Sequence, residues 1–157
     1  MGFSQTISCI NKDRVDLGLF VIRMVIGLFM AFLHGYGKLT GGPELWGQIG
    51  GSMSMLGITF APVVWGFLAM SAEFFASLAI ALGVFFRPAA AMLVFTMFIA
   101  AMHHLTLPAD NPASGINGAS HALELMAIFI GLFLTGPGRY RLALLWQRGP
   151  DSNSSKQ

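Results

Sequence analysis

Charge is scarce in this 157-residue chain. Only 10% of its residues are Asp, Glu, Lys or Arg, against about 25% in soluble domains. So few charges cannot cover a globule, which excludes an ordinary soluble domain. Cysteine is scarcer still. Cys9 stands alone, so there is no intramolecular disulfide, no CxxC pair and no two-cysteine thiol exchange. Cys9 reads as a reduced thiol without a role. An excess of one charge sign is also missing. The formal net charge is +2, with no basic stripe for nucleic acid. No flavin, iron–sulfur or nucleotide motif is visible. No small-residue cleavage motif follows the first apolar run, so that run reads as an uncleaved anchor.

Apolar residues are plentiful: 55% of the chain, with a mean hydropathy of +0.68. Four long runs predict four transmembrane helices, at about 17–34, 61–86, 88–106 and 120–135. A span needs about 20 apolar residues. The expected fold is all-α, an integral membrane four-helix bundle forming one domain over 1–149, with a disordered tail at 150–157. Four spans place both termini and the Arg87-Pro88 turn on one side. Of the nine Lys and Arg, only Lys38 falls on the other. The positive-inside rule then predicts cytoplasmic termini in a bacterial-type inner membrane.

Two loops face the other side. In 40–60, Trp46, Ile49, Met53 and Leu56 recur at helical spacing, predicting a short amphipathic helix over the bundle mouth. The second loop, 107–119, carries Pro108, Asp110, Asn111, Pro112, Gly115 and Gly118. At the inner interface, 139–148 presents Tyr140 and Trp146 at headgroup level.

Ionisable groups inside such a chain are functional-site candidates, because they are costly at membrane depth. His34 and Lys38 close the first run, and His103 and His104 close the third. His121 and Glu124 open the fourth, on one helix face. Topology predicts all six in one layer about 5–10 Å deep. Imidazole and carboxylate suit the proton traffic of a quinone. In that reading His34, His121 and Glu124 are catalytic. Lys38, Tyr36, His103, His104 and Trp46 bind substrate or quinone. A metal or haem held by His34, His103, His121 and Glu124 is a second reading. Interfacial histidines satisfied by water are a third. Deeper in the membrane, Arg23 and Glu73 are expected to form a structural ion pair, with a proton relay as the alternative.

The order of these features resembles the DoxX family of small membrane proteins. The likeness runs from about residue 17 to 140. It rests on Arg23, His34-Gly35-x-x-Lys38-Leu39, Ala72-Glu73, Leu82-Gly83, Arg87-x-Ala89-Ala90, Glu124 and Gly136-Pro137-Gly138-Arg139-Tyr140. Two departures stand out. Arg141-Leu142-Ala143 replaces the usual Ser-Leu-Asp, and Ala76-Ser77 replaces a glycine pair. The resemblance implies a four-helix bundle. It also implies kinship with membrane subunits of thiosulfate:quinone oxidoreductase and with partners of redox or sulfur-stress enzymes.

The expected function is therefore an inner-membrane subunit of a quinone-linked oxidoreductase acting on a small reduced, sulfur-type donor. Lipid and a redox partner protein are the expected partners, with homo-oligomerisation open. A partner or bound cofactor must carry the electrons. The alternatives are a non-catalytic anchor or assembly partner docking through Arg139, Arg141 and Arg148, and a metal- or haem-binding membrane protein.

Overall fold

The computed structural model describes residues 3–141, with side chains from Lys12 onward. Every regular element in this region is helical. The order is α1 (Phe3–Phe29), a π turn (Met30–Gly35), α2 (Tyr36–Gly50), a 3-10 turn (Gly51–Leu56), α3 (Pro62–Ser71), a second π turn (Ala72–Ala76), α4 (Ser77–Leu82), α5 (Phe86–Thr106) and α6 (Gly115–Thr135). These make four helices long and apolar enough to cross a membrane: Lys12–Leu56, Pro62–Leu82, Phe86–Thr106 and Gly115–Thr135. The last three have 21 residues each, about 31 Å at 1.5 Å per residue, which matches the hydrocarbon core.

Proline and glycine set the boundaries. Pro62 opens α3 and Pro88 lies in the first turn of α5, where a missing N–H costs nothing. Gly83, at φ +71°, ends the second span one turn earlier than its apolar run suggests. Gly136, at φ +80°, ends α6. The fourth span starts at Gly115 rather than residue 120, because Asn117 and Ser120 continue the helix.

The first span does not end near His34. It runs on through Gly35 and Gly37 to a break at Gly42 (φ 71°, ψ −170°), followed by Pro43. Trp46 Nε1 donates to Lys38 O at this break, at 2.7 Å. The short helix expected over 40–60 is the part of α2 beyond Gly42, continued by the 3-10 turn. It lies against the first turns of α3. Cβ atoms at Gly50 and Gly66 would collide with the backbones of Pro62 and Trp46, so small residues are required for this approach.

The core joins all four spans through Met30, Ile80, Ala90, Leu93, Phe129 and Leu132. Helix one packs on helix two with Gly27 against Ser77 and Ala81. Helix four packs mainly on helix three. At the end where α6 finishes, Arg23 is almost fully buried and donates from Nη1 to Pro137 O at 2.8 Å. Its guanidinium also lies 5.3 Å above the Phe20 ring. Asp16 accepts the Arg139 backbone N–H, and Asp13 pairs with the Arg139 guanidinium. The tail at 150–157, with Trp146 and Arg148, lies outside the described residues.

Candidate functional site

The two π turns face each other at mid-bundle. Each interrupts a span, and such turns gather at functional sites. Gly35 makes the meeting possible. A Cβ there would come within 2.7 Å of Phe74 N and 2.8 Å of Glu73 O. Phe32 and Phe74 pack edge to face beside it, 6.2 Å between centroids. This contact delivers Lys38, one turn past Gly35, to Glu73.

Lys38 Nζ lies 2.5 Å from both carboxylate oxygens of Glu73. Hydrogen-bond geometry is met at Oε1, while Oε2 is buried without one. Glu73 is 3% exposed. It lies about 16 Å along its span from Pro62 at 1.5 Å per residue, hence near the middle of the membrane. The expected Arg23–Glu73 pair is not formed. The long first span carries Lys38 to Glu73 and leaves Arg23 level with Gly83 and Pro137, nearly half a membrane away. Arg23 is a tie between the first and last spans.

The Lys38–Glu73 pair lines a crevice of about 490 Å³ bounded by α2, the 3-10 turn, α3 and α5. Its walls are largely apolar, from Trp65, Leu68, Met92, Phe95, Ile99 and Ala100. Gln48, Ser52, His103 and His104 supply further polar groups. Along α5 it extends from Met92 to His103, about 17 Å. Ser52 Oγ lies 3.4 Å from His103 Nδ1. His104 Nδ1 lies 2.9 Å from Ala113 O. A carbonyl only accepts, so Nδ1 carries the proton there. The combination is an apolar slot with a buried carboxylate paired to a partly buried ammonium and imidazoles towards one end. It suits a molecule with a polar head and an apolar body.

The six polar residues expected in one layer fall into two groups. Lys38, His103 and His104 line the crevice. His34 and His121 stand together elsewhere, with ring centroids 5.6 Å apart, and both are exposed, as is Glu124. The expected shallow depth also fails for this second group. His34 is about 16 Å along the helix from Arg23, and Glu124 about 16 Å from Thr135. Both are near mid-membrane, because the first span continues past His34 and the fourth begins before Ser120. The four expected metal ligands are not gathered, and no group of three His, Cys, Asp or Glu suited to a metal exists among the described residues. Tyr36 is exposed and lies off the crevice. Trp46 caps the Lys38 carbonyl and packs on Phe67 rather than lining the slot. Gln48, Ser52 and Trp65 were missed. Their signal was slight: polar residues on the short helix and its turn, and a tryptophan in the first turn of a span.

A family model for DoxX matches residues 18–105. The chain belongs to the DoxX family. The matched region holds every residue that lines the crevice, while His121 and Glu124 of this DoxX protein lie beyond it. Neither a curated protein nor a solved structure matches the chain.

Proposed function

We propose that this DoxX protein is the quinone-binding membrane subunit of an oxidoreductase system. One observation carries the reading: the apolar crevice of about 490 Å³ with the Lys38–Glu73 pair, buried at Glu73, along it and His103 towards one end. A quinone accepts two electrons and two protons, so its pocket needs an apolar body and proton-exchanging groups at the ring. Lys38 Nζ donates to a ring carbonyl. Glu73 holds that ammonium in place. His103, exposed at the far end, exchanges protons with water. Met92 and Phe95 are exposed where an isoprenoid tail leaves for lipid.

The electrons come from a small reduced donor of sulfur type, oxidised on a partner protein. With the basic ends of the chain in the cytoplasm, the protein is a multi-pass bacterial plasma-membrane protein. The His103 end of the crevice then faces the outer side.

The test is mass spectrometry of the protein extracted in native lipid. Quinone is expected in about equimolar amount. Ala100→Trp adds a large side chain to the crevice wall and is expected to remove the quinone. His121→Ala, on the other group, is expected to leave it bound. Absence of quinone from the wild type, or its retention in Ala100→Trp, overturns the proposal.

A further inference from the structure

His34, His121 and Glu124 take no part in the crevice. All three are exposed, and none makes a hydrogen bond or ion pair among the described residues. His34 and Glu124 stand near mid-membrane by the helix counts above, on the first and fourth spans, which the Arg23–Pro137 bond ties together. Ionisable groups at that depth are costly in lipid and almost always face protein or water. Exposure here means that the face made by the first and fourth spans is incomplete.

The patch holds both halves of a hydrogen bond. Imidazole N–H groups donate, and the Glu124 carboxylate accepts. His34 and Glu124 also lie within about one helical turn of each other in depth, because the His34 ring is 5.6 Å from that of His121, three residues before Glu124. Two copies related by a two-fold axis along the membrane normal keep every residue at its own depth. In such a pair the first span of one copy faces the fourth of the other, so His34 of each meets Glu124 of its twin. This is the self-complementary patch that an isologous interface requires.

From this closeness in depth and the pairing of donor with acceptor, we infer that the protein is a homodimer through this face. His34 pairs with Glu124 of the second copy, twice over, and His121 borders the pair. The inference is independent of the quinone reading, since the crevice lies between other helices.

The experiment uses the full chain in native membranes on a Cys9→Ser background. Ile128 lies four residues past Glu124 and seven past His121, so it shares their face. Ile128→Cys is expected to cross-link to a dimer, and Phe98→Cys on α5 to remain monomeric. By energy transfer between labelled copies in lipid, His34→Glu and Glu124→His are each expected to weaken association about tenfold, from two pairs at about threefold each. The double swap His34→Glu with Glu124→His is expected to restore it, which also guards against a variant that merely misfolds. Equal cross-linking of the two cysteine variants, cross-linking of Ile128→Cys only to a different protein, or no recovery in the swap overturns the inference.

Discussion

The Lys38–Glu73 pair makes an unequal prediction about its two partners. The Glu73 side chain is 4% exposed and that of Lys38 is 29% exposed. Lys38→Met leaves a carboxylate with almost no water around it, which costs about 3–5 kcal/mol when one member of a buried pair is removed. Glu73→Gln leaves Lys38 an amide oxygen, and the long lysine stem allows its head to turn along the crevice. Its cost is about 1–2 kcal/mol, a weakened charge-assisted bond. Lys38→Met with Glu73→Gln removes both charges and is expected to cost less than Lys38→Met alone. The coupling energy is then about 2 kcal/mol, within the range for contacting residues. Unfolding free energies in lipid bicelles, measured for the four proteins of the cycle, give these quantities. A larger loss from Glu73→Gln than from Lys38→Met, or additive costs in the double variant, refutes the reasoning.

Gly35→Ala is expected to cost about 1–3 kcal/mol by overpacking, because the methyl meets backbone atoms that cannot rotate away. In the same bicelles it should also lower quinone content by displacing Lys38; a wild-type melting curve would refute the close approach. Gly83→Ala adds a methyl at φ +71°, 2.5 Å from Arg23 Nη1. Left-handed strain and the loss of the Arg23–Pro137 bond together give about 2–3 kcal/mol. The same unfolding assay checks this, and a change below 1 kcal/mol would contradict it.

The long apolar runs and their proline and glycine punctuation made the four spans legible, because a bilayer constrains length and polarity so strictly. The site was less legible. Gly35 and Gly37 suit either a helix end or a close helix approach, and Gly35 serves a close approach to Glu73 within a continuing span. Ending the first span near His34 sets Lys38 in a shallow layer away from Glu73, and counting from the inner helix ends brings Glu73 towards Arg23 instead. The π turns that bring the helices together have no residue signature. Nor does sequence fix how a helix is rotated in the bundle when, as in α5, apolar residues occur on every side. His103 therefore could not be assigned to the crevice, nor His34 to the outward face, from spacing alone.

The bond from Arg23 to Pro137 bears on how the protein is made. Its partners are 114 residues apart. At translation rates of roughly 5–20 residues per second, the first span waits about 6–23 s for the carbonyl that will satisfy its guanidinium. Through that interval Arg23 must be held by water, lipid headgroups or the insertion machinery. A nascent chain halted before Pro137 therefore has its apolar spans but lacks the clasp between the first and the last. The final assembly step of this bundle is set by the end of synthesis rather than by the entry of any one helix.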